Sequence, residues 1–277
     1  MTLQLNVLLS PRLLMDESIL ENSIAIVIDI FRATTTIATA LEQGAKEIVP
    51  VATLAEAEAK AKELRGRFGE ASVLLCGERG GLKPTGFDLG NSPLEYTRET
   101  VEGKILILST SNGTSALQAV KAAPLVLAAS FANMKHVVNF VMKYLILREA
   151  RALQNSDEQS PANNRIDRIH LVCAGSNGEF SYEDTLCAGA LIDALAEELT
   201  IGETSFTCTD SAKAAQLLFR AENNLAQTLV STLHAEYLRS IGFGEDVEFC
   251  VQANTSRMVP LRRADGALVH WHNPLNL

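Results

Sequence analysis

Apolar runs and stretches of helical period alternate along nearly the whole chain, the pattern of βαβ units feeding a mainly parallel sheet. Ile24 to Ile30 (IAIVIDI) is almost unbroken in apolar character, as a strand covered on both faces must be. FRATTTIATALEQGA then has the spacing of a helix, with Gly44 placed to cap its C-terminus. Residues 47–51 (EIVPV) form a second strand, where Pro50 implies an edge position or a strand end because it lacks an N–H. A helix follows over Thr53 to Arg67. Its start is marked by Thr53 and Glu56, spaced as a capping box in which each side chain satisfies a free backbone N–H of the other residue. Ser72 to Cys76 is the next strand.

The order then repeats. KILILSTSNGTSALQAVKAAPLVLAASFANMKHVVNFVMKYL again reads strand, helix, strand, helix, and an offset of about 80 residues sets Asp29 opposite Ser109, Arg32 opposite Asn112 and Thr34 opposite Thr114. A duplicated βαβ half and the general likeness of such units both account for this match. Residues 151–167 (RALQNSDEQSPANNRID) are polar and turn-rich, the composition of a surface loop. A third strand, turn and helix follow as RIHLVCAG, SNGEFSYED and TLCAGALIDALAEEL. Beyond them lie a helical region from Ser211 to Ile241 and a β-like C-terminus, VEFCVQANTSRMVPLRRADGALVHW. The expected fold is therefore α/β, a three-layer α/β/α arrangement around a mainly parallel or mixed sheet. Nothing in composition divides residues 1–277, which read as one domain or as two lobes of one.

Ligands of open α/β sheets bind beyond the carboxyl ends of the strands, so the residues there carry the candidate chemistry. After the first strand, Asp29 is followed by Arg32 and by Thr34, Thr35 and Thr36 at a helix start. Free backbone N–H groups and a guanidinium fork make this a cradle for an anion, while Asp29 offers a hard oxygen to a metal. An Asp–Arg ion pair with ordinary Thr capping accounts for the same residues. After SVLLC comes GERGGLKPTGFDLGNSP, a glycine-rich loop carrying Glu78, Arg79, Lys83, Asp88, Asn91 and Ser92. It matches neither the GxxxxGK[ST] nor the GxGxxG phosphate-binding pattern. The turn STSNGTS brings Asn112, Gly113 and Thr114 to another helix start, and AGSNGEFSYEDT brings Ser176, Glu183 and Asp184 to a third. Those two acids suit the positive end of a helix dipole, and they also suit Mg²⁺, which takes one or two carboxylates with substrate oxygens and water.

Charge and cysteine content narrow the function further. With 24 Lys plus Arg against 33 Asp plus Glu, the net charge is −9, which disfavours nucleic acid as a partner. No apolar run reaches the roughly 18–20 residues needed to cross a bilayer, and the N-terminus does not read as a signal peptide. Cys76, Cys173, Cys187, Cys208 and Cys250 are odd in number and lack metal-ligand spacing, as expected of core thiols in a soluble cytoplasmic protein. Cys76, Cys173 and Cys250 each end an apolar run and read as strand positions. Cys173 is not followed at the required distance by an arginine, which excludes the cysteine phosphatase pattern, and Phe31 stands where a DxD phosphatase needs its second acid. His136, His170, His234, His270 and His272 all lie outside the four loops; His270 and His272 read as strand or surface residues.

VIDIFRATTT, GERGGLKPTGFDLGNSP, STSNGTSA and CAGSNGEFSYEDTLCAGALI, in this order, together with the C-terminal YLRSIGFGEDVEFCVQANTSRMVP, resemble the 2-phosphosulfolactate phosphatase family over nearly the whole chain. The resemblance implies a Mg²⁺-dependent hydrolase that converts 2-phospho-3-sulfolactate to 3-sulfolactate and phosphate, a step of coenzyme M biosynthesis. Members also occur outside organisms expected to make that coenzyme. The alternatives are a phosphatase for another small phosphorylated acid and an anion sensor without turnover. On this reading Asp29, Arg32, Glu78 and Arg79 are catalytic, and Asp88, Glu183 and Asp184 bind metal. Thr34, Lys83, Asn91, Ser92, Asn112, Gly113, Thr114 and Ser176 bind substrate. A homodimer would be unremarkable for an enzyme of this size.

Overall fold

The computed structural model describes residues 2–14, 16–154 and 166–271. Its strands are β1 (Leu3–Leu8), β2 (Ser23–Ile28), β3 (Glu47–Pro50), β4 (Val73–Gly77), β5 (Ile105–Ser109), β6 (Leu125–Ala129), β7 (Arg168–Cys173), β8 (Phe206–Cys208), β9 (Pro260–Arg262) and β10 (Leu268–His270). The helices are α1 (Ala33–Glu42), α2 (Leu54–Phe68), α3 (Arg98–Val101), α4 (Gly113–Ala119), α5 (Met134–Gln154), α6 (Tyr182–Ile201), α7 (Asp210–Ala221), α8 (Leu225–Val230), α9 (Leu233–Ser240) and α10 (Gly244–Cys250).

All ten strands form one mixed, mostly parallel sheet in the order β4-β5-β3-β10-β9-β6-β2-β7-β1-β8. β4, β5 and β3 make one parallel block, and β6, β2, β7, β1 and β8 make another. The hairpin β9–β10 is antiparallel within itself and to both neighbours, so the two blocks run in opposite senses. Side-chain alternation explains the layers. Along β2, Ile24, Ile26 and Ile28 pack with Val137, Val141, Leu186 and Leu191 of α5 and α6, while Ala25 and Val27 pack with Ile37, Leu41, Ala116 and Leu117 of α1 and α4. Helix α2 covers β4 and β5 separately, through Ala57, Ala61 and Leu64 against Val73, Leu75, Ile105 and Ile107. Helices thus cover both faces. No described helix is long and apolar enough to cross a membrane.

The capping box at Thr53 is present: its hydroxyl accepts from Glu56 N, and the Glu56 carboxylate accepts from Thr53 N. Pro50 ends a strand flanked by β5 and β10, which removes the edge alternative. Two expectations need correction. Cys250 does not end a strand; it is buried at the end of α10, because the sequence GEDVEFC packs as a helix through Val247 and Cys250. The polar stretch begins later than its composition suggests, since residues 151–154 still belong to α5; residues 155–165 and His272 lie outside the described residues.

The two βαβ units trade places in the sheet. β2 leads through α1 to β3, which pairs with β5, and β5 leads through α4 to β6, which pairs with β2. Their strand ends are also bonded alike. The Thr34 hydroxyl donates to Asp29 O at 2.8 Å and accepts from Asp29 N at 3.0 Å. The Thr114 hydroxyl does the same to Thr110 O and N, at 2.9 and 3.0 Å. The next N–H on each side meets a carboxylate, Ile30 N to Asp184 Oδ1 and Ser111 N to Glu78 Oε1. Bonding therefore sets Asp29 opposite Thr110 rather than Ser109, and the first loop is one residue longer.

Candidate active site

A cleft of about 690 Å³ opens where β2 ends and where the N-termini of α1, α4, α6 and α9 approach one another. Asp29, Arg32, Glu78, Asn91, Asn112, Ser176 and Glu183, all expected site residues, line it. The approach is close enough to fix a residue type. A Cβ on Gly113 would lie 2.7 Å from Asp29 Oδ2 and 2.5 Å from Ala33 Cβ, so only glycine lets α4 begin against Asp29.

Burial dominates the chemistry of Asp29. It pushes the carboxyl pKa up to about 6, against the charge of His234 and the Ala33 N–H, while the charges of Glu78 and Glu183 push it further the same way. Asp184 lies behind it. Its oxygens accept from Ile30 N at 3.0 Å and Gly175 N at 3.1 Å, and burial, with the charges of Asp29 and Glu183, holds its pKa well above the usual carboxylate range. Both oxygens thus serve backbone amides, which makes Asp184 a brace between two loops rather than a free ligand. Glu78 braces the other strand end: Oε1 accepts from Ser111 N at 2.6 Å and Oε2 from Gly81 N at 2.8 Å.

His234 is the residue that strand-end reasoning missed. It enters from α9, which follows no strand, through a cap in which Thr232 accepts from Ala235 N. Its Nδ1 lies 3.0 Å from Glu183 Oε1, and its ring stands edge-on to Phe31 at 6.1 Å. Burial opposes the imidazolium charge, but the Glu183 hydrogen bond and the charges of Glu183 and Asp29 outweigh it, so the pKa is raised above 6.5. The sequence signal is faint: a lone histidine two residues past a Thr cap.

Arg32 lines the cleft but is already engaged. Its side chain is buried, with Nη1 2.6 Å from Asp246 Oδ2, Nη2 2.6 Å from Gly81 O, and the guanidinium 4.2 Å from the Phe243 ring centroid. Ser92 donates to the other Asp246 oxygen at 2.6 Å, so it too supports this pair instead of facing the cleft.

The remaining candidates sit elsewhere for identifiable reasons. Arg79 turns back onto Glu78 O, Ser109 O, Ser109 Oγ and Ala52 O. Asp88 pairs with Arg65 at 2.8 Å and accepts from Leu75 N at 2.7 Å, which removes it from the expected metal set. Lys83 is exposed and donates to Asp88 O. Asp184, also expected to bind metal, does not line the cleft. Thr34 and Thr114 spend their hydroxyls on the strand ends.

Among the described residues, no three His, Cys, Asp or Glu side chains are gathered as a ready-made metal site. Mg²⁺ does not need one, because it takes few protein ligands and keeps water or substrate oxygens. Asp29 and Glu183 are hard carboxylate donors on the cleft, and the buried Asn91 Oδ1 has no hydrogen-bond partner. Four acids (Asp29, Glu78, Glu179 and Glu183) line the cleft against Arg32 and His234, so a divalent cation suits the charge of the site.

The family model of 2-phosphosulpholactate phosphatase matches residues 8–265. A probable 2-phosphosulfolactate phosphatase of Thermotoga petrophila is 40% identical over 237 residues, 85% of this chain and 87% of its own. One from Clostridium perfringens is 39% identical over 88% of this chain and 87% of its own. A third, from Clostridium botulinum, is 30% identical over 95% of this chain and 98% of its own. The match to the family model includes every loop that lines the cleft, and the chain belongs to the 2-phosphosulfolactate phosphatase family.

Proposed function

We propose that the protein is a cytoplasmic, Mg²⁺-dependent phosphatase that hydrolyses 2-phospho-3-sulfolactate to 3-sulfolactate and phosphate, in a pathway of the coenzyme M type. Family membership makes it a phosphoric monoester hydrolase. The observation that carries the chemical reading is the placement of Asp29 and the His234–Glu183 pair in one cleft, at converging helix N-termini.

Phosphoryl transfer relies on positioning and on stabilising charge. Asp29 and Glu183, with Asn91 as a neutral donor, would hold Mg²⁺, which when bound supplies positive charge to the phosphate oxygens. Asp29 attacks phosphorus as the ester P–O bond breaks, and protonated His234 gives its proton to the departing alkoxide. Glu183 orients the imidazole and favours its charged form. In the second half, neutral His234 takes a proton from water while the water oxygen attacks phosphorus. The Asp29–phosphorus bond then breaks, phosphate leaves, and Asp29 and His234 return to their starting states. The carboxylate and sulfonate of the substrate add charge that the open cleft must also accommodate.

The test is phosphate release from 2-phospho-3-sulfolactate with and without Mg²⁺, beside other small phospho-acids. Release that needs the metal and favours the sulfonated ester is expected. Preference for another phospho-acid would move the physiological substrate, and saturable binding without release would make the protein a sensor. Labelled substrate under single turnover should leave phosphate on Asp29; its absence would replace the covalent route by direct attack of water.

A further inference from the structure

The substrate class just proposed carries at least one acidic group besides its phosphate, and the cleft shows little that could hold it. Arg32 gives its terminal nitrogens to Asp246 and Gly81 O, Arg79 points into backbone carbonyls, and Lys83 lies on Asp88 O. A fourth cation stands at the rim. Arg12 begins near the end of β1, and its guanidinium lies across Gly178, where a Cβ would be 2.2 Å from Arg12 Cζ. Its Nη2 donates to Asn177 O at 3.2 Å, and its Nη1 is 3.7 Å from Glu179 Oε1. Both partners line the cleft. The Arg12 side chain is 67% exposed and that of Glu179 83%, so this pair is loose and open to exchange.

The position relative to the reacting centre follows from two links. Asn177, which holds Arg12 through its carbonyl, donates its own N–H to Asn112 Oδ1 at 3.0 Å, and the next residue, Gly113, abuts Asp29 Oδ2. Arg12 therefore stands one loop away from Asp29.

We propose that Arg12 is a specificity-determining residue that binds the second acidic group of the substrate, a sulfonate or carboxylate on the leaving carbon frame. Glu179 occupies the guanidinium until the ester arrives, and the substrate acid then replaces it as the partner of the planar fork. Gly178 is required because any side chain there would displace the guanidinium from the rim. This role rests on the phosphatase reading.

The experiment compares 2-phospho-3-sulfolactate, 2-phosphoglycerate and glycerol 2-phosphate, which carry the phosphate on the middle carbon of a three-carbon frame with two, one and no further acids. Wild type, Arg12→Ala, Arg12→Lys and Glu179→Gln are measured on all three. Arg12→Ala should lower the kcat/KM ratio of the sulfonated ester over glycerol 2-phosphate about tenfold, mainly through KM, a free-energy change of about 1.4 kcal/mol. Arg12→Lys should retain part of the ratio, and Glu179→Gln should raise it. 2-Phosphoglycerate tells the two acids apart: a similar loss there assigns the carboxylate, and its absence assigns the sulfonate. An unchanged ratio in Arg12→Ala, whatever its absolute rates, overturns the role of Arg12 alone. If the wild type releases phosphate from none of the esters, the phosphatase reading falls and the role of Arg12 with it.

Discussion

Arg32 and Asp246, far apart in sequence, meet at 2.6 Å as the most deeply buried ion pair among the described residues, with side-chain exposures of 1% and 3%. Ser92 and Gly81 complete their hydrogen bonds, so the pair joins α1, the glycine-rich loop and α10 behind the cleft. Removing one partner strands the other charge away from water. Asp246→Ala is expected to lose about 3–5 kcal/mol of unfolding free energy, read from urea midpoints. Arg32→Lys should recover only part of the loss of Arg32→Ala, because one ammonium cannot reproduce a fork that spans Asp246 and Gly81 O. Equal stability of Arg32→Lys and wild type would show that the fork is not required.

Asp29→Asn and His234→Asn should each lower kcat/KM by at least about a hundredfold, or about 2.7 kcal/mol of transition-state stabilisation. Their effects should not add in the double variant, since the two groups act on one phosphoryl transfer. Steady-state rates on 2-phospho-3-sulfolactate, with circular dichroism to verify the fold, provide the check. Near-normal turnover in Asp29→Asn would remove the end of β2 from the chemistry.

Gly113→Ala probes the approach of α4 to Asp29. The new methyl group cannot occupy its place without moving Ala33 or the Asp29 carboxylate. Overpacking of this kind costs about 1–3 kcal/mol, and the loss of kcat should exceed tenfold if the displaced carboxylate is the nucleophile proposed above. Thermal unfolding and kcat, measured on the same preparation, separate the two effects.

His170 supplies a pH test of stability. It is buried in β7, between the Asn6 side chain at 3.0 Å and Ile19 O at 2.9 Å, and burial lowers its pKa below 6.5, against the Ile19 hydrogen bond. The unfolded chain therefore binds a proton that the folded chain refuses. Its contribution is complete above about pH 6.5 and is lost as pH falls through the lower folded value. The unfolding free energy of wild type relative to His170→Asn should decline below pH 6.5 and stay level above it. A difference that does not change with pH would mean that the ring titrates alike in both states.

The sequence disclosed what local chemistry controls. The unbroken apolar run ending at Asp29 could only be a covered strand, and Thr53 with Glu56 marked a helix start that both side chains then cap. It did not disclose which charges meet. Arg32, Arg79, Lys83 and Asp88 all lie in the right loops, yet three of them turn toward backbone carbonyls or Arg65, and Arg32 toward Asp246 on a distant helix. His234 was hidden for a related reason: the rule that reads strand ends passes over a wall supplied by a helix that follows no strand. VEFC misled because its apolar residues suit either period, and packing against α9 decides for the helix.

The hairpin β9–β10 is the seam between two blocks that run in opposite senses, and it comes from the last part of the chain. Until it docks, β3 and β6 are bare edges, open to pairing with any other strand. Closure of the sheet therefore depends on this hairpin, and a ribosome-bound chain halted before Pro260 would carry every carboxylate of the cleft on a sheet in two pieces. Whatever prevents that docking leaves the two halves of the cleft unjoined without touching one of its residues.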